Sequence, residues 1–235
     1  MNTEFGLMHM WSQSDGIARA VLVLLILMSL LSWIVMLIKA LDVLRAKRQA
    51  ARVDGFWRSA DVTEGLSRLT PADGNPFRDL AVQGREAADQ HRATQTQLHD
   101  SLDASDWISR ALQGSIDQSV TRLQAGLAVL ASVGSTAPFV GLFGTVWGIY
   151  HALMRISAAG QASLDQVAGP IGESLIMTAL GLATAIPAVL AYNALVRGNK
   201  HILGRLGRFA RDLHAFYLTG ARVAAASNDD GIKRS

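Results

Sequence analysis

Glu173 is the only charged side chain between Asp165 and Arg197. It stands in the run GESLIMTALGLATAIPAVLAYNALV (172–196), which is otherwise small and aliphatic. An acid in such surroundings is costly in hydrocarbon and normally faces a protein interior or a water path. It is equally a group that the dipole of a helix N-terminus favours, here just after Pro170, a residue suited to starting a helix. Two hydroxyls, Thr145 and Thr178, join it as the polar groups placed to do chemistry. Thr145 can bond back to the carbonyl four residues earlier, or present its hydroxyl to a lumen or a partner. Neither threonine titrates, so a proton route through them needs a carboxylate from another chain.

Spacing adds a set of packing residues. Ala137, Gly141, Thr145 and Gly148 recur at four- and three-residue steps and share one helix face, while Gly181 and Ala185 lie in line with Thr178. Small residues let membrane helices approach closely where no hydrophobic drive brings them together. Pro138 sits beside this face and is expected to kink its helix. No nucleophile–base pair, metal-ligand cluster or phosphate loop is present. GLFGTVWG (141–148) follows no strand and is no dinucleotide fingerprint. The expectation is a protein that is not an enzyme, with no cofactor and no metal.

The elements that must position these residues follow from composition. Of 235 residues, 50% are apolar and 17% charged, against about 25% charged in ordinary soluble domains. The absence of cysteine excludes disulfides and thiolate metal sites. Windows at 20–38, 124–154 and 166–196 are free of charge, apart from Glu173. Each exceeds or approaches the roughly 20 residues that cross a bilayer as a helix. The first is read as a retained helix and not a signal peptide, since no small-residue cleavage site follows it. Lysine and arginine crowd the residues after the first and third windows, and only Arg19 and Arg155 mark the opposite side. That asymmetry predicts the N-terminus outside and the C-terminus inside. It also accounts for the net charge of +3 without nucleic acid.

The fold class expected is therefore an all-α membrane protein with three transmembrane helices. Two of them are very long and extend into a cytoplasmic helical bundle. The segments are an outer (periplasmic) stretch 1–19, transmembrane helix 20–38, cytoplasmic helical region 39–127, transmembrane helix 128–154, outer loop 155–169, transmembrane helix 170–196, and a cytoplasmic extension and tail 197–235. Within the outer stretch, LMHMW (7–11) suits the membrane interface, and NDDGIKRS (228–235) reads as disordered. Residues 39–69 read as a charged continuation of the first helix, broken by TPADGNP (70–76). From residue 92 to 155 an apolar stripe runs without a breaker and predicts one helix. Leu195, Ile202, Leu206, Phe209, Leu213 and Phe216 carry a similar stripe past the third window. Counting along antiparallel helices at about 1.5 Å per residue puts Thr145 and Thr178 roughly 13–15 Å deep and Glu173 about 6 Å deep, near the outer mouth.

GLFGTVWGIYHA (141–152) and VAGPIGESLIMTALGLATAIPAVLAYN (167–193) together resemble the MotA/TolQ/ExbB proton channel family. The similarity is loose over 10–60 and close over 128–196, and its nearest branch is ExbB-like; the three-helix layout fits less well with the four-helix flagellar stators. One departure is GPIGE at 169–173, where many members read PGIAE. The resemblance implies an inner-membrane, multi-pass subunit that forms a homopentamer in the lipid bilayer around ExbD. ExbD is a single-span partner whose helix supplies a membrane aspartate. The resemblance also implies coupling of the proton motive force to TonB, for uptake of iron-siderophores and cobalamin, and carries the family's pore role onto Thr145, Thr178 and Glu173. A TolQ-like subunit of the Tol-Pal envelope system, and a non-conducting scaffold, are the alternatives.

Overall fold

The computed structural model describes residues 16–70, 74–94, 103–159 and 164–222. The regular elements among them are all α-helices: α1 Gly16–Ala51, α2 Val53–Trp57, α3 Val62–Arg68, α4 Pro76–Thr94, α5 Ala104–Gln124, α6 Leu127–Ala159 and α7 Leu164–Thr219. Three helical segments are long and apolar enough to cross a membrane. They carry the three uncharged windows. The outer motif LMHMW, the tail 228–235, and residues 95–102 of the stripe expected over 92–155 lie outside the described residues.

The chain divides into two compact units. The first comprises residues 1–41 and 125–197, and its described part is built from the N-terminal half of α1, from α6 and from the first half of α7. Its core is thin and mixes alanines with a few larger side chains: Val21, Leu22 and Leu25 of α1, Val133 and Ala137 of α6, and Met177, Ala185 and Ala188 of α7. Many of the other apolar side chains are exposed, among them Leu27, Leu30, Leu37, Phe139, Val146, Ile186 and Leu190. A helix that is apolar on all sides suits hydrocarbon or protein partners and not water.

The second unit comprises residues 42–124 and 198–235 and has an ordinary close-packed core. Phe56, Leu69, Phe77, Leu80, Ile108, Leu112, Leu206, Phe209 and Leu213 are buried together. Phe209 is the hub, with ring centroids 5.4 Å from Phe56, 5.8 Å from Trp57 and 6.0 Å from Phe77. The buried positions on α5 are Ile108, Leu112, Ser115, Ser119 and Leu123, one stripe at helical spacing. On α7 Ile202, Leu206, Phe209 and Leu213 form the matching stripe. The short helices are set by their caps. Asp61 accepts from the amide of Glu64 at 2.6 Å, and the Glu64 carboxylate accepts from the amide of Ala60 at 2.9 Å. That amide, and then Arg68, hold Glu64 below the usual carboxylate range. Asn75 does the same for α4: its Oδ1 accepts from the amides of Phe77 and Arg78, and its Nδ2 donates to the Leu69 carbonyl at 3.0 Å. Pro76 then starts α4 with no amide to satisfy.

Three expectations need correction. The helix expected over 92–155 is interrupted. α5 ends at Gln124, residues 125–126 form a turn, and α6 begins at Leu127. Gly126 makes the break by adopting φ 82°, a left-handed conformation open to glycine and costly for other residues. So α7, at 56 residues, is the one very long helix among the described residues, and α6 has 33. The charged continuation of the first helix is also broken, because α1 stops at Ala51 and α2 and α3 follow as separate pieces. Finally, α6 runs to Ala159 and α7 starts at Leu164. Glu173 is therefore in the third turn of α7, beyond the first turn where the dipole acts most.

Candidate functional site

α6 and α7 are antiparallel, and their contact is a seam of small residues. A Cβ on Gly134 would lie 2.5 Å from Val189 Cγ2, and one on Gly144 would lie 3.1 Å from Met177 Cβ. A Cβ on Gly141 would lie 2.6 Å from the Met177 carbonyl and 3.1 Å from Gly181 Cα. A Cβ on Gly181 would lie 2.7 Å from the Ala137 carbonyl. At Gly148 an added Cβ would run into the Ser174 hydroxyl. The two backbones touch, so side chains larger than hydrogen are excluded at the closest points. Ala137 is fully buried and Ala185 nearly so. All five small residues named from spacing thus lie in or beside this seam. Pro138 lies within α6.

The close approach brings two hydroxyls together. Thr145 Oγ1 lies 2.5 Å from Thr178 Oγ1, 3.1 Å from the Ser174 carbonyl and 3.2 Å from the Gly141 carbonyl. Thr145 is buried and Thr178 half-buried. A threonine has one proton to give and two lone pairs. The two carbonyls can only accept, so the Thr145 proton is directed at them. Thr178 can then donate the bond between the two hydroxyls, for which either oxygen could be the donor. With Thr178 as donor, its half-buried oxygen keeps lone pairs and can accept a further bond.

Thr145 bonds back along its own helix, as its spacing from Gly141 allows, and the same oxygen also reaches across to α7 of the same chain. Ser174 was not singled out from the sequence, although it lies one turn before Thr178 and on the same face. Gly134, Gly144 and Met177 complete the seam and were likewise unmarked. Thr184 is also buried on α7. The Glu173 backbone is helical, and its side chain lies outside what the structure describes. Among the described residues no group of three His, Cys, Asp or Glu is placed to hold a metal ion.

Toward the end of α6, Trp147 stacks on His151 with centroids 4.6 Å apart, and Tyr150 packs on the edge of His151 at 5.4 Å. This aromatic group lies on the same helix as the threonine pair.

The MotA/TolQ/ExbB proton channel family model matches residues 84–207. The chain belongs to this family. It is 42% identical over 213 residues to the biopolymer transport protein ExbB of Xanthomonas campestris pv. campestris, an alignment that covers 88% of this chain and 84% of that protein. It is 38% identical over 206 residues to ExbB of Neisseria meningitidis, covering 87% and 93%. It is also 35% identical over 215 residues to the Tol-Pal system protein TolQ of Pseudomonas aeruginosa, covering 88% and 91%. Membership in this family, with three helices able to span, makes the chain a multi-pass membrane protein that works in a complex with partner proteins.

Proposed function

We propose that this chain is the proton-channel subunit of an inner-membrane TonB–ExbB–ExbD complex, which uses the proton motive force to energise TonB-dependent uptake of iron-siderophores and cobalamin. The observation that carries this reading is the Thr145–Thr178 pair. It is a polar contact with no titratable partner in the described seam, placed between two helices of a proton-channel family. Hydroxyls accept and donate hydrogen bonds but do not exchange a proton by titrating near neutral pH. The titrating group belongs on a second chain, as an aspartate on a single-span ExbD-like helix.

The proton arrangement gives the pair a preference. A protonated carboxyl can donate to the exposed lone pair of Thr178. An ionised carboxylate can only accept, so Thr178 would have to turn its proton away from Thr145. The pair therefore favours the neutral acid of the partner over its anion, and the bond must rearrange when that acid ionises. Glu173 belongs to the same proposed path, nearer its outer mouth. Ala137, Gly141, Gly148, Gly181 and Ala185 hold the two threonines in register.

The proposed setting is a homopentamer in the bacterial inner membrane, N-terminus out and C-terminus in, with the three crossings carried by α1, α6 and α7. The resemblance to TolQ supports a second reading, a Tol-Pal subunit of the same construction. The two are separated by expressing the chain in cells that lack ExbB and in cells that lack TolQ. Restored siderophore uptake is the result expected, and restored detergent resistance alone would favour the second reading. Within the working complex, Thr178→Val, Thr145→Val and Glu173→Ala should abolish uptake while the oligomer persists. Normal uptake by the variants would show that these residues do not conduct.

A further inference from the structure

The second unit contains a cavity of about 480 Å³ whose walls are strongly basic. Arg45 and Arg48 come from α1, Arg52 from the residue just after it, and Arg122 from the end of α5. Among the described residues one carboxylate, Asp42, lines it as well, which leaves an excess of three positive charges among them, four minus one. Gln49, only 6% exposed, adds a carboxamide to the wall. Two of the guanidiniums are tethered: Arg52 donates to the Thr70 carbonyl, and Arg122 lies 3.5 Å from Asp79. Arg45 and Arg48 form no ion pair among the described residues. The volume lies within the order of 300–1,000 Å³ usual for small-ligand sites.

Like charges converging on one cavity repel each other and raise the local positive potential. Stability alone gives no reason to gather four of them. A planar guanidinium fork matches two oxygens of a phosphate, and several forks around one cavity can surround a phosphate group from different sides. We propose that this cavity is a binding site for a phosphate-bearing anion, with Arg45 and Arg48 as its principal ligands and Arg52 and Arg122 as fixed walls. The anion is either a soluble phosphate compound or the headgroup of an anionic phospholipid. Asp42 lies four residues past the first uncharged window, so a headgroup is within reach of the sequence that forms the site. The threonine pair plays no part in this proposal, which stands whether or not the chain conducts protons.

The test uses the full chain in its membrane complex, reconstituted in nanodiscs. One arm uses phosphatidylcholine discs and titrates inorganic pyrophosphate by calorimetry. The other uses discs that also contain phosphatidylglycerol, and measures by native mass spectrometry which lipid the protein retains. Arg45→Gln/Arg48→Gln is compared with Arg58→Gln/Arg110→Gln, which removes the same charge from exposed positions outside the cavity. Binding should weaken roughly tenfold or more for each cavity guanidinium lost, the scale of one charge-assisted hydrogen bond, and remain unchanged in the control. Arg122→Gln should weaken it too, and serves if the double variant does not assemble. Pyrophosphate binding in neutral discs identifies a soluble ligand, and selective retention of phosphatidylglycerol identifies a lipid. Absence of both, or equal loss in the control, overturns the proposal.

Discussion

Gly141 and Gly181 meet across the α6–α7 seam so closely that a Cβ added to either would stand 3.1 Å from the Cα of the other. The same added Cβ on Gly141 would be 2.6 Å from the Met177 carbonyl, a backbone atom that cannot swing aside. Gly141→Ala should therefore force the helices apart and cost about 1–3 kcal/mol, with loss of the Thr145–Thr178 contact. Gly114, on α5, has nothing within 4 Å of a built Cβ. Gly114→Ala should instead stabilise by about 0.5–1 kcal/mol, the ordinary gain for alanine over glycine inside a helix. Thermal denaturation midpoints of the two variants in detergent should move in opposite directions. A seam that tolerates alanine at 141 without loss would contradict the geometry.

Gly126 separates α5 from α6 at φ 82°. Gly126→Ala keeps the sequence apolar and helix-prone but makes this conformation cost about 1–2 kcal/mol. Its Cβ would also press on Val35 Cγ1 at 3.3 Å. A lower thermal denaturation midpoint is expected. A variant as stable as the parent would remove the requirement for glycine.

Asn199 is buried in α7, and its Nδ2 donates to the Leu123 carbonyl at 2.9 Å. Leu123 lies in the last turn of α5, where carbonyls have no partner within the helix. Asn199→Leu should leave that carbonyl unsatisfied and lower stability by about 1–3 kcal/mol. Protection from hydrogen exchange should fall locally, over residues 120–127. Uniform loss across the chain would point to a general packing defect instead.

Tyr217 donates its hydroxyl to the Ala81 carbonyl at 2.9 Å, and burial pushes its ionisation above the ordinary value of 10.0. The folded protein thus holds this proton more tightly than the unfolded chain. The contribution is complete below pH 10 and is lost as the pH rises above it. Tyr217→Phe should be less stable than the parent by about 1 kcal/mol at neutral pH. Denaturation measured against pH should show that difference shrinking above pH 10. A difference that grew with pH would have the wrong sign.

The membrane-crossing segments were readable because a charge in hydrocarbon is so unfavourable that its absence over 20 residues is a strong signal. The α6–α7 face was readable because four- and three-residue spacing of Ala137, Gly141, Thr145 and Gly148 has one geometric meaning on a helix. Which α7 residues it would meet depended on the antiparallel register, so Ser174 and Met177 passed unnoticed. The break at Gly126 was hidden because one glycine in an apolar stripe looks like tolerated helix until its φ is known. The core of the second unit was hidden for another reason: Phe56, Phe77 and Phe209 are far apart in sequence, and no local pattern announces that they touch. The cavity arginines read simply as a topology signal, since their convergence from α1 and α5 is a matter of tertiary folding.

The glycine seam also has a mechanical consequence. Contacts between side chains are compliant, because rotamers can change and methyl groups can slide. At Gly141 and Gly181 the two helices meet backbone against backbone, and backbone atoms have no rotamers and almost no room to compress. Thr145 stands four residues from Gly141 and Thr178 three from Gly181, so both hydroxyls are anchored beside the least compressible point of the seam. The outward side chains, Phe139, Val146, Ile186 and Leu190 among them, carry no such constraint within the chain and are the compliant part of the two helices.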